Sequence, residues 1–368
     1  MAAKGPGPRP RGDYPTFKDV AKAVRRYRPS DLLPALARVS AAISDRDENS
    51  LEVWVSQASP WGLAALARES LTGGSEDRRH KRVDQADVLA LHAMFAASYD
   101  ESPDDETKSV LSIMTRHAYE QFPYQESDWD EVARTFALLD GALRASSTTT
   151  LTVGTLENML GGQLDVVLRA AVILWGAAKE SSGAWDPRWI YSTEASELVE
   201  KTPADAVTAL AVKLTSTMQA MRRDAVAVPA PAPHLRRYAY NPLQSTPIVK
   251  LQRGALILPQ TRMVLRRLSP GGLFYEGMRT LGPNFANDLG KVVETYVGQV
   301  LALVTGASVH PEVPYAKGSL SVDWFLVMDD LVVLVESKSM RATLGARAGD
   351  VDLIPSLQEK LNHALEQL

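Results

Sequence analysis

Residues 321–338 read Ser-Val-Asp-Trp-Phe-Leu-Val-Met, then Asp-Asp, then Leu-Val-Val-Leu-Val-Glu-Ser-Lys, and no other stretch of the chain constrains its fold as tightly. Two arms rich in β-branched and aromatic residues flank a polar dipeptide, which is the pattern of a β-hairpin. A two-residue turn at Asp329-Asp330 sets the register. Met328 then faces Leu331, Val327 faces Val332, and continuing the count sets Asp323 opposite Glu336. Directly opposed residues share a face of the sheet. Lys338, two residues beyond Glu336, points to that face as well. Two carboxylates and an ammonium therefore gather at one end of the hairpin. The rest of both arms is apolar on both faces, as expected for strands inside a covered sheet.

Opposed carboxylates repel, and a divalent cation between them removes that cost. Oxygen donors of this kind suit Mg²⁺ or Mn²⁺, with waters and a substrate phosphate completing the shell. The plainer alternative is an edge hairpin in which Lys338 only neutralises Glu336. The flanking sequence bears on the choice. Residues 285–304 form a helical pattern with Leu289, Val293, Tyr296, Val297 and Val300 on one face. Ala286, Gly290, Glu294, Gly298 and Ala302 recur at steps of four on a second line. A stripe of such small residues lets a helix approach a sheet closely and carry Glu294 inward. Residues 308–313 read as a short strand. Residues 350–368 read as a helix with Leu353, Leu357, Leu361 and Leu365 on its apolar side.

The order helix, strand, strand, strand, helix, with the acids and lysine on the second and third strands, resembles the PD-(D/E)XK, or restriction-endonuclease-like, nuclease superfamily. The resemblance covers roughly residues 280–368. It implies that Asp323 is the first motif acid, that Glu336 and Lys338 form the (D/E)-x-K motif, and that Glu294 is the acid on the first helix. It also implies Mg²⁺ (or Mn²⁺) held by Asp323, Glu336 and the backbone carbonyl of Ser337. No Pro precedes Asp323, and the further strand usual after the second helix is missing from the pattern, which stops at Leu368.

The rest of the chain reads as follows. Residues 1–14, rich in Pro, Gly and Arg, are expected to be a disordered tail. Residues 15–225 are expected to form a mainly α-helical domain. Its patterns include Phe17, Val20, Ala21 and Val24, the stretches 85–98, 106–121, 128–144 and 163–179, and a stripe of Val207, Leu210, Leu214, Met218 and Met221 on one helix. The run 146–150 reads as a linker. The loop at 73–84 mixes both charges and reads as solvated. Residues 226–272 read as a basic, Pro-rich connector, opening on an Ala/Val/Pro alternation. From Arg222 to Leu268 nine basic residues stand against one acidic residue. Two readings are open for this stretch. Arg236, Arg237, Arg262, Arg266 and Arg267 contact nucleic acid, or they pair with acidic helices of the first domain. Arg341, just past Lys338, is a further phosphate-contact candidate. Residues 273–368 are the nuclease-like unit, so the fold class expected is α+β, a helical domain followed by an α/β core of αβββα order.

The chain has no cysteine, which excludes disulfides and thiolate chemistry, and fits a reducing cytoplasm. Its net charge of −4 makes any nucleic-acid surface a local one. No run of apolar residues reaches the length of a membrane span. Gly-Lys at 290–291 lacks the spacing of a phosphate loop, and the histidines show no paired metal spacing. The expected function is metal-dependent hydrolysis of nucleic acid, DNA before RNA, in bacterial genome or antiviral defence. The helical domain would engage a protein partner or a second copy. The alternative is a catalytically inactive nuclease-fold module for nucleic-acid binding or assembly.

Overall fold

The computed structural model describes residues 14–43, 58–98, 114, 116–315, 320–337, 358 and 362. It is a mixed helix-and-sheet fold with a helical N-terminal part. Helices α1 (Phe17–Val24), α2 (Pro29–Ile43), α3 (Pro60–Gly73) and α4 (Gln85–Ala97) enclose a first core. Their buried faces carry Val20, Leu36, Leu66 and Phe95. The starts follow ordinary capping chemistry: Ser59 accepts the Gly62 N–H ahead of α3, and Asp84 accepts the Asp87 N–H ahead of α4. A second core surrounds α5 (Leu164–Glu180). Together with the preceding helix, residues Val153–Glu180 are long and apolar enough to cross a membrane by length and composition. Here Leu156, Ala170, Ala171 and Leu174 are almost wholly buried in the protein core.

His92 of α4 is inside the first core. Its Nε2 accepts the Ser59 backbone N–H at 2.7 Å and lies 2.9 Å from Ser59 Oγ. Burial, and secondarily the charge of Arg237, push the imidazole down to about 4. A histidine neutral in the fold but protonated when unfolded stabilises the protein fully above about pH 6.5. It loses that contribution as pH falls toward 4. The expected loss is about 3 kcal/mol. Urea titrations between pH 7 and 4 should therefore show a steeper decline for the wild type than for His92→Gln; superimposable curves would refute this.

Two expectations about the middle of the chain are corrected. The stripe from Val207 to Met221 is not one helix. It is α6 (Ala204–Lys213), strand β2 (Thr215–Thr217) and α7 (Met218–Ala227). All five apolar positions are nonetheless buried. Thr215 Oγ1 bonds back to the Ala211 carbonyl at 2.6 Å, and Thr217 Oγ1 caps α7 at the Ala220 N–H. Side chains that compete for backbone partners break a helix in this way.

Residues 226–272 are not a connector. They supply β3 (Ile248–Lys250), β4 (Leu256–Ile257) and α8 (Met263–Leu268). Ile248, Val249, Leu258 and Val264 are completely buried. With β1 (Ala184–Trp185), these strands make a sheet of order β1-β4-β3-β2, in which only the β2–β3 pairing is parallel. The 273–368 unit also lacks a clean border. Leu273 of α9 (Pro270–Leu281), and Phe285, Leu289 and Val292 of α10 (Asn284–Leu301), lie in the second core. Helix α10 is thus a wall of the helical body as well as the helix that leads into the C-terminal strands.

Asp288 of α10 ties the body together. Its Oδ2 accepts the N–H groups of Thr149, Thr150 and Leu151 at 3.0, 2.6 and 2.9 Å, and Thr295 on the same helix contacts Ser146. The run expected as a linker is therefore clamped to α10. Burial works to raise the Asp288 carboxyl, but the three backbone donors outweigh it and hold it below the usual range.

Candidate active site

Strands β5 (Ser308–Pro311), β6 (Trp324–Val327) and β7 (Val332–Val335) form an antiparallel sheet in sequence order. Trp324 pairs with Val335 and Val327 with Val332, the register that the turn arithmetic requires. Met328 N–H closes the turn on the Leu331 carbonyl at 2.8 Å, with Asp329 and Asp330 exposed at its tip.

One step past the Trp324–Val335 pair lie Asp323 and Glu336, both half-buried. The Asp323 N–H donates to Glu336 Oε2 at 3.3 Å. Ser337 closes the corner, donating to Asp323 Oδ2 from its N–H at 2.6 Å and from its Oγ at 2.8 Å. Asp323 is also at an irregularity in the ladder. Pro311 faces Trp324 and Pro314 faces Leu320, so residues 321–323 stand against residues 312–313. An extra residue of this kind forms a β-bulge, which re-aims the side chains around it.

The small-residue stripe meets the sheet at one point. A Cβ on Gly298 would lie 2.2 Å from Trp324 Cζ2, so only glycine leaves room for the indole. The indole Nε1–H donates to the backbone carbonyl of Glu294 at 3.0 Å. The sequence stripe contained the glycine needed for close approach, and Trp324 is its partner. Glu294 itself is half-buried, and its carbonyl is what anchors β6 to α10. Gly298→Val should displace the indole and destabilise the protein by about 1–3 kcal/mol. Thermal unfolding reads this directly, and a melting temperature equal to that of the wild type would contradict the close contact.

Lys338 and Arg341 lie outside the described residues. Of the expected second helix, Gln358 and Asn362 are described, both helical and exposed. His310 faces Phe325 across β5 and β6 and contacts Ser308 Oγ at 3.2 Å, a strand histidine rather than a member of the acid corner. Among the described residues no three metal-ligating side chains converge.

All five connector arginines have internal partners, and three of them, Arg236, Arg237 and Arg262, meet carboxylates of the first domain as in the pairing alternative. Arg237 Nη2 meets Glu120 at 2.9 Å with both groups buried. Arg262 is paired with Asp128, and Arg267 with Glu276 and the Ser245 carbonyl. Arg236 holds Glu69 at 2.7 Å, and Arg266 bonds the Pro123 carbonyl. Arg237, Arg262 and Arg267 are buried, while Arg236 and Arg266 remain partly exposed. The mixed-charge loop is likewise internally paired, through Glu76 to Ser30, His80 to Asp31 and Lys81 to Asp87. Comparison with known proteins gives no match to any family model, curated protein or solved structure.

Proposed function

We propose that this chain is a metal-dependent nuclease that hydrolyses phosphodiester bonds of nucleic acid, DNA before RNA, in the cytoplasm. The observation that carries the reading is the bulged end of the hairpin, where Asp323 and Glu336 share one corner. Their oxygens suit Mg²⁺ or Mn²⁺, and the few protein donors fit an ion that keeps most of its waters. Asp323, Glu336 and the Ser337 carbonyl would hold it. Once bound, the ion supplies a water of lowered pKa and neutralises charge on the phosphate. The Ser337 donors hold the Asp323 carboxylate in place. Lys338 would orient the attacking water and stabilise charge on the phosphate oxygens. Glu294 would hold a further water. Participation in bacterial genome defence, with the helical body presenting the nuclease to a partner or second copy, is part of the same proposal.

The test is thermal unfolding with Mg²⁺ or Mn²⁺, run beside cleavage assays on DNA and RNA. A cation that binds only the folded form at about 100 times its dissociation constant stabilises by roughly 2.7 kcal/mol. Asp323→Asn should remove that gain. If the wild type shows neither a metal response nor cleavage, the protein is a non-catalytic binding or assembly module. That second reading draws on the exposed Val332 and Leu334 of β7.

A further inference from the structure

The strand that interrupts the Val207–Met221 stripe also creates a cleft. Trp185 pairs with Leu256, Leu256 with Lys250, and Lys250 with Thr217, so one row of side chains crosses all four strands on one face. The row beside it, through Val249 and Ile257, packs into the first core. The open row is the floor of a cleft of about 480 Å³, walled by Thr208, Ala211 and Val212 of α6. That volume falls in the range of about 300–1,000 Å³ that small-molecule sites occupy. The floor and walls are mainly apolar, Thr208, Thr215, Ser216 and Thr217 bring hydroxyls to the lining, and Lys250 is the one charged residue among the described lining residues. Lys250 is exposed and makes no ion pair among the described residues. Helix α7 starts at this wall, with Ala220 lining the cleft, and its N-terminus favours negative charge. Trp185 is 4% exposed, and its Nε1 has no hydrogen-bond partner among the described residues; Thr208 Oγ1 is in the same state.

We propose that this cleft binds a small organic anion, its apolar body against Leu256, Ala211 and Val212 and its charge toward Lys250 and the start of α7. The apolar floor and wall take the hydrocarbon body of the ligand, and a single cation, with no carboxylate among the described lining residues, selects its sign. The site shares no residue with the acid corner of the hairpin, so either proposal can fail alone.

The probe is 8-anilinonaphthalene-1-sulfonate, an aromatic monoanion, titrated into the full chain by fluorescence. One saturable site is expected, with energy transfer from tryptophan that weakens in Trp185→Phe. Lys250→Glu and Val212→Glu each place a carboxylate at the cleft. Both residues are exposed, so the fold should persist, as circular dichroism would verify. Each should weaken binding at least tenfold. Displacement by 1-naphthoate should be at least tenfold better than by neutral naphthalene-1-methanol. Non-saturable binding, unchanged affinity in both glutamate variants, or equal competition by the neutral analogue would overturn the proposal.

Discussion

Asp323→Asn is expected to lower cleavage of nucleic acid by about 10³-fold, equivalent to roughly 4 kcal/mol of transition-state stabilisation. Asn keeps the shape of Asp323 and leaves an acceptor for the Ser337 N–H and Oγ, which both meet Oδ2. What it removes is the negative charge, and with it most of the hold that the proposed site would have on a divalent ion. Glu336→Gln should act in the same direction. Lys338→Ala separates binding from chemistry. An ammonium does not ligate a metal, so the thermal response to Mg²⁺ should be retained or slightly strengthened while cleavage falls by about 10²–10³-fold, the usual cost of losing one donor to a developing charge. Gly298→Val adds a control from packing: it should lower melting temperature and turnover together. The nuclease reading fails if Asp323→Asn cleaves at the wild-type rate, and so does the division of labour if Lys338→Ala loses the metal response.

The hairpin was legible in the sequence because its information is local. A two-residue turn and alternating side chains set the pairing of Asp323 with Glu336 without reference to the rest of the chain. Gly298 was legible only as one member of a small-residue stripe, since its partner Trp324 arrives from a separate element. The connector was misread for the opposite reason. Its Ala/Val/Pro opening is irregular, but Leu243, Ile248, Val249 and Leu258 follow, and they are wholly buried. The arginines on either side of them meet carboxylates far away in sequence, Glu69, Glu120 and Asp128. Composition registers a basic stretch and is blind to partners at such separations. The Thr215-Ser216-Thr217 break carried a local signal, three hydroxyl residues in a row, which the strong apolar period around it outweighed.

The buried pair between Arg262 and Asp128 should give the largest stability effect in the chain. Arg262 is 3% exposed and Asp128 2% exposed. The guanidinium bonds Asp128 through Nε, the Tyr124 carbonyl through Nη1 at 3.3 Å, and the Glu126 carbonyl through Nη2. It thereby fastens residues 124–128 to the first turn of α8. Asp128 is also the first residue of the Asp128–Phe136 helix, where a negative charge is favourable. Burial nevertheless holds its carboxyl above the usual range, with Arg262 only partly offsetting that cost. Asp128→Ala would leave the guanidinium in the interior without the Asp128 carboxylate, at a cost of about 3–5 kcal/mol. Removing both charges is a different experiment. Asp128→Leu with Arg262→Met replaces the pair by apolar groups, and such exchanges are often neutral or stabilising. The double variant should therefore be markedly more stable than Asp128→Ala in denaturant titrations, despite carrying more changes. Additive losses would show instead that the pair supplies net stabilisation of its own, and that the tie between residues 124–128 and α8 depends on its geometry.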